Sequence, residues 1–314
     1  MTSAFARRSP AAVALALATV YLVWGSTYLG IRVTDRTMPP FLMSSVRFVI
    51  AGTALYVFAS RGRPRPTLRQ WGAAAVVGAA LLLVGNGGVA WAETRLEAGI
   101  AALIVAIIPL WVAVLDRLFF GRRLSRTAVV GLVIGFAGVA LLVRPGGGGD
   151  AFAALALVVT TSAWAGGSLY ARGATLPESP LLAAAMQMLT ASVFLAVAGF
   201  AMGEASDVHA SSFGTKPVLA FAYLVVVGSL IAFSAYAWLL KNVRISVVST
   251  YAFVNPVVAV ALGTMFLAEP IGWTTVIAGA AIVVAVVLIV TARPPKPRSV
   301  AAQAPEPEPL RAAA

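Results

Sequence analysis

The chain has no cysteine and one histidine, His209, and only 11% of its 314 residues are charged. The first absence excludes a disulfide frame and any thiolate metal site. The second excludes histidine clusters, and with them the H-E-x-x-H type of metal centre. Acidic residues number 11 against 23 lysines and arginines, and no apolar stretch holds a pair of aspartates. Serines are common but have no histidine base nearby, so an intramembrane enzyme is a poor reading. A soluble domain normally carries about 25% charged residues. At 60% apolar residues and a mean hydropathy of +0.92, this chain does not have the polar surface to face water.

What is present instead is a series of runs near 20 residues with hardly a charge, each long enough to cross about 30 Å of hydrocarbon. Charge, proline and glycine breaks place them near 11–31, 40–60, 72–92, 99–119 and 127–143, then 152–172, 181–201, 217–239, 246–267 and 272–292. The chain therefore reads as an all-α integral membrane protein with ten transmembrane helices. The opening Arg7-Arg8 pair before an apolar run imitates a signal peptide, but that run has a counterpart at 151–164, so it reads as a retained helix.

With residues 1–10 in the cytoplasm, seventeen lysines and arginines fall on the inner side. Arg32, Arg36, Arg95, Arg144 and Lys216 fall outside, and Arg47 lies within a span. The excess of positive charge inside fixes both termini in the cytoplasm of a multi-pass plasma membrane protein. The same distribution explains the net charge of +12 without nucleic acid.

The chain also repeats itself. A shift of 140 residues carries Trp24 onto Trp164, Arg32 onto Arg172 and Pro40 onto Pro180. A shift of 147 carries Trp91 onto Trp238, Pro109 onto Pro256 and Phe119 onto Phe266. Residues 11–144 and 152–292 are thus two halves of one plan, joined by a glycine-rich linker at 145–151 and followed by a disordered tail at 293–314. Five spans per half is an odd number, so the halves are expected to be inverted, a frequent device of secondary transporters.

Polar and broken positions inside the spans are the functional candidates. Pro109 and Pro256 each remove a backbone N–H and free a carbonyl upstream, near the middle of the fourth and ninth spans. Trp24-Gly25-Ser26-Thr27-Tyr28 faces its counterpart around Trp164, Ser168 and Tyr170, where small residues let helices approach and hydroxyls bond across them. Tyr28 and Tyr170 also suit an interfacial aromatic belt. Arg47 sits about 10 Å into the second span, where a charge must pair, snorkel or face water. Gln187 is its counterpart, and Glu93 is its expected partner by depth. Asn86, between Gly85 and Gly87, offers an amide beside open backbone. Trp91, Trp111, Tyr236, Trp238, Tyr251 and Asn255 complete an expected cavity with aromatic walls and few charges, suited to partly apolar solutes.

These residues carry a resemblance. Trp24-Gly-Ser-Thr-Tyr28, Pro39-Pro40, Ser45-Val-Arg-Phe48, Gly85-Asn86-Gly87, Ala92-Glu93, Gly99-Ile-Ala-Ala102, Pro109-Leu110, Tyr251 and Asn255-Pro256-Val-Val-Ala-Val260 run in order from about residue 10 to 292. They resemble EamA-type permeases of the drug/metabolite transporter superfamily, most of all the YedA-like branch. The resemblance implies two inverted EamA repeats and export of small metabolites or amino acids. It also implies a central cavity between the first, third, fourth, sixth, eighth and ninth spans. Carried over residue by residue, it makes Trp24, Ser26, Asn86, Trp91, Pro109, Trp164, Trp238, Asn255 and Pro256 cavity or gate candidates. One departure stands out. Such repeats end the fourth and ninth spans with an acidic residue. Glu269 fits, whereas Arg122 occupies the first position and Asp116 stands one and a half turns earlier.

The expectation is a secondary transporter working by alternating access, with a small-molecule solute, membrane lipid and protons as partners and no cofactor or metal. A facilitative uniporter is the alternative. The oligomeric state is open.

Overall fold

A computed structural model describes residues 9–121, 125–143, 150–209, 213–269 and 271–291. Arg122, the Gly146–Gly149 joint, most of the N-terminal segment and the tail from Arg293 lie outside the described residues.

Among the described residues the secondary structure is entirely helical, and ten long segments carry it. They are α1 (Pro10–Thr34), α2 (Pro40–Ala59), α3 (Leu68–Glu93), α4 (Ala98–Phe120) and α5 (Arg126–Val143). After the linker come α6 (Ala151–Gly173), α7 (Pro180–Ala201), α8 (Thr215–Asn242), α9 (Tyr251–Leu267) and α10 (Trp273–Thr291). Eight of them are long and apolar enough to cross a membrane, and α5 and α9 contain shorter apolar stretches.

Sequence chemistry sets the helix starts. Proline opens α1, α2 and α7, where its fixed φ and missing N–H cost nothing. A reciprocal capping box opens α3: Gln70 N–H donates to Thr67 Oγ1 at 3.3 Å, and Thr67 N–H to Gln70 Oε1 at 2.9 Å. Asp150 accepts from the N–H groups of Phe152 and Ala153 at the start of α6.

Packing pairs the two halves. α2 runs along α7, and α5 along α10; α4 lies against α9. α1 touches α9 and α8, while α6 touches α4 and α3. The first part of α4, Ala98 to Ile104, is buried throughout and forms the centre. Leu22, Phe58, Val133, Phe200 and Phe266 point outward on the periphery, as lipid contact requires. Close approach is made possible by missing side chains. A Cβ on Gly25 of α1 would stand 2.6 Å from Cβ of Val258 in α9, so these helices meet backbone to side chain, the contact that drives association where lipid is as apolar as leucine.

The breaks differ from the sequence expectation. In α4 the helix interrupts at Ala106–Ile107, and Pro109 sits in the first turn of the part that follows. In α9, Pro256 lies inside a continuous helix, and the interruption falls earlier, at Ser249–Thr250, after a short helix Ile245–Val248. The stretch expected as one span at 246–267 is therefore two pieces. Unanticipated π-helical stretches, with i→i+5 hydrogen bonding, occupy Ala79–Gly87 of α3 and Leu224–Phe233 of α8. The 147-residue shift brings them within two residues of each other. Such wide turns occur frequently at functional sites.

Candidate functional site

The two π-helical stretches flank a central cavity of about 60 Å³. Its wall combines α1 (Trp24, Thr27, Tyr28), α2 (Arg47, Phe48), α3 (Leu82, Asn86), α4 (Val105, Ile108), α6 (Trp164), α8 (Gly228, Phe233) and α9 (Tyr251, Asn255). Trp24 and Trp164, which the 140-residue shift superimposes, meet here edge to face with ring centroids 5.4 Å apart. Tyr251 packs edge-on against Trp24 at 5.4 Å.

Arg47 is buried at 3% exposure and faces this cavity. Its Nε–H donates to Ser229 Oγ at 2.7 Å, and Nη1 donates to Asn86 Oδ1 at 3.4 Å. The expected pairing with Glu93 does not occur. The guanidinium turns instead toward the π-helical stretches of α3 and α8. Glu93 is fully buried, with neither carboxylate oxygen hydrogen-bonded among the described residues, and Arg32 donates to its backbone carbonyl instead. Ser229, which holds Arg47, carries no sequence mark beyond a hydroxyl in an apolar run. Asn255 donates its amide N–H groups to the backbone carbonyls of Tyr251 and Tyr21 at 3.2 and 2.9 Å.

A second cavity of about 200 Å³ opens between α6, α7 and α8. Gln187 and Tyr236 line it, together with Arg172, Lys241 and an apolar remainder that includes Leu81, Leu176 and Leu240. Tyr236 forms the partition between the two cavities. Its hydroxyl accepts from Trp164 Nε1 and shares a hydrogen bond with Ser168, and its ring lies 4.8 Å from that of Trp24.

The remaining candidates stand apart from both walls. Ser26 bonds the Tyr223 hydroxyl at 2.5 Å in the α1–α8 contact. Trp91 packs on Phe152 and under the guanidinium of Arg95. Trp111 packs on Phe136, and Trp238 offers its carbonyl to Asn242. Ser168 lies behind Tyr236, and Pro109 and Pro256 are buried in helix contacts. Tyr170 is exposed, unlike Tyr28, which is buried in the wall of the central cavity and not in an interfacial belt.

Polar ties close the face where α1 leads into α2. Glu204 accepts from the N–H groups of Phe41 and Leu42 at the start of α2, at 3.1 and 2.8 Å. Glu269 does the same for Ala98 and Gly99 at the start of α4, at 3.0 and 3.3 Å. Arg95 and Asp150 form a half-exposed ion pair beside them. On the opposite face Arg172 donates to the carbonyls of Leu240 and Val243, mirroring the bond of Arg32 to residue 93.

Comparison with known proteins gives a consistent assignment. The EamA-like transporter family model matches residues 11–144 and again 151–291. The "Uncharacterized inner membrane transporter YedA" of Escherichia coli (strain K12) is 40% identical over 277 residues, covering 87% of this chain and 89% of that protein. A "Probable terminal-alkyne amino-acid exporter" of Streptantibioticus cattleyicolor is 30% identical, over 87% of this chain and 92% of its own length. A protein of known crystal structure shares the fold with a TM-score of 0.64 at 22% identity, over 89% of this chain and 96% of that one.

Proposed function

This chain belongs to the EamA-like transporter family, and from that premise we propose that it is a secondary transporter exporting small organic metabolites or amino acids by alternating access. Its ten helical segments act as two inverted five-helix repeats across the plasma membrane, with both termini in the cytoplasm. The helix contacts support this: exchanging the halves turns the α1–α9 pairing into α6–α4, and α1–α8 into α6–α3, while α2–α7, α4–α9 and α5–α10 map onto themselves.

The observation that carries the reading is the meeting of Trp24 and Trp164 in the wall of the central cavity. Equivalent residues of two repeats touch on the pseudo-twofold axis, so a solute held there is contacted by both halves and released when they rock. Arg47 and Asn86 supply polar contacts, the aromatic rings supply apolar ones, and the wide π-helical turns of α3 and α8 supply the room. The Glu204 and Glu269 ties hold the extracytoplasmic side together.

Among the described residues no acidic side chain lines either cavity, which favours a facilitative uniporter as the second reading, since a coupling proton would have to act from outside the solute's own contacts. The test is counterflow in proteoliposomes preloaded with labelled amino acids. Flux is expected with the protein, absent from empty liposomes and abolished by Arg47→Gln in a variant that elutes normally. Flux that survives collapse of the pH gradient supports the uniporter, and flux no greater than in empty liposomes overturns the transporter reading.

A further inference from the structure

We propose that the cavity between α6, α7 and α8 is a second solute-binding site, which loads organic carboxylates before they reach the central cavity. The loading role rests on the transporter reading, but the binding chemistry stands on the cavity itself. Two cations, Arg172 and Lys241, stand at its rim, and among the described residues no acidic side chain lines it. Glu178, next to it in the α6–α7 connector, gives its backbone carbonyl to Lys241 and turns its own side chain to solvent.

Inside the rim is Gln187, 4% exposed. Its backbone carbonyl accepts from Thr190 at 3.1 Å, but its side-chain amide makes no hydrogen bond among the described residues while facing the cavity. The amide is open to the cavity, so its N–H group is available to a carboxylate oxygen. The start of α7 at Pro180 also forms part of the wall, adding the positive end of a helix dipole. Leu81, Leu176, Ala183 and Leu240 accept the apolar body of the solute. The volume of about 200 Å³, against about 10–15 Å³ needed on the same measure to hold one water, admits a small organic acid.

The position of the site gives it direction. Gln187 and Arg47 are equivalent residues of the two repeats, and each faces a cavity. Tyr236 walls this site and backs onto Trp24, Trp164 and Tyr251, which wall the central one. An anion captured at an exposed, salt-screened rim passes Gln187 and, once the Tyr236 partition moves, meets the buried guanidinium of Arg47. Charge in the wall becomes less screened along that path, so the solute is drawn inward.

The probe is phenylacetate, titrated into the detergent-purified full chain and followed by calorimetry, with phenylacetamide as its neutral isostere and inorganic phosphate as a competitor. Saturable binding of phenylacetate at least tenfold tighter than phenylacetamide is expected. Lys241→Gln and Gln187→Leu are each expected to weaken it fivefold or more while eluting as the wild type does. Equal binding of the amide overturns the proposal, as does unchanged affinity in both variants. Displacement by phosphate at equal concentration overturns the choice of carboxylate. Solute flux without phenylacetate binding sinks this site and leaves the transporter standing; binding without flux of any solute does the reverse.

Discussion

The indole N–H of Trp164 donates to the hydroxyl of Tyr236 at 3.1 Å, inside the partition between the two cavities. The same hydroxyl shares a 2.8 Å hydrogen bond with Ser168, which also donates to the Trp164 carbonyl. Tyr236→Phe leaves a buried indole N–H unpaired, at a cost of about 1–3 kcal/mol. A lower unfolding midpoint in detergent is expected. Ser168→Ala is expected to cost less, because Trp164 keeps its acceptor. The double variant should fall short of the sum, as residues in one network do; strict additivity would show that the three groups act separately.

Gly85 of α3 abuts the indole of Trp164 so closely that a Cβ there would stand 2.5 Å from Cε3. Gly85→Ala must move that ring, and overpacking of this kind costs about 1–3 kcal/mol. Gly72, on the same helix, has nothing within 4 Å of its would-be Cβ. Gly72→Ala should therefore be neutral or stabilise by up to about 1 kcal/mol through helix propensity. Thermal midpoints of the two variants are expected to move in opposite directions. A Gly85→Ala protein as stable as the wild type would mean that the contact is not kept in the membrane protein.

Much of this arrangement is legible in the sequence because bilayer thickness dictates helix length and apolarity, and a duplicated plan leaves superimposable tryptophans and prolines. Polar residues within apolar runs are legible for the same reason: Arg47, Asn86, Gln187 and Asn255 have to face something other than lipid, and each faces a cavity or backbone. Aromatic residues are harder to assign. Trp111 on Phe136 and Trp91 on Phe152 fill helix contacts rather than a cavity wall, and spacing alone does not tell these roles apart. The Arg47–Glu93 pairing fails because depth fixes only one coordinate; the turn of the guanidinium around the helix depends on Ser229 of a distant segment. The π-helical stretches at Ala79–Gly87 and Leu224–Phe233 lie inside apolar runs that read as ordinary helix. Arg172 and Lys241 read as topology charges, and the structural bonds of Arg172 and its equivalent Arg32 to backbone carbonyls emerge only in the fold.

Two carboxylates cap helices across the molecule, Glu204 on α2 and Glu269 on α4, both on the face where α1 leads into α2. Replacing a cap acceptor by alanine costs about 0.5–2 kcal/mol, and a charged acceptor at a helix N-terminus adds about 0.3–1 kcal/mol. Glu204→Ala and Glu269→Ala are therefore expected to lower stability more than the corresponding glutamine variants, which keep an acceptor oxygen. Limited proteolysis should also cut the connectors on that face faster in the alanine variants. Equal stability of the glutamine and alanine forms would remove the hydrogen bonds from the account and leave only charge.

Asp35 follows α1 with both carboxylate oxygens buried and without a hydrogen-bond partner among the described residues. Burial pushes its pKa well above the ordinary carboxylate value; Arg32 pulls it down, Glu204 pushes it further up, and Arg47 again pulls it down, with burial dominant. The folded chain therefore holds this proton more tightly than the unfolded chain does. Linkage then requires stability to fall as pH rises through the unfolded carboxylate value of about 4 toward the raised one, because the unfolded state releases its proton first. Asp35→Asn removes the ionisable group and keeps the shape. At pH 7 the asparagine form is expected to melt at a higher temperature than the wild type, with the gap closing as the pH is lowered to about 4. A gap of constant size across that range would show that Asp35 is ionised in the fold and that its neighbours, Arg32 first among them, offset its burial in full.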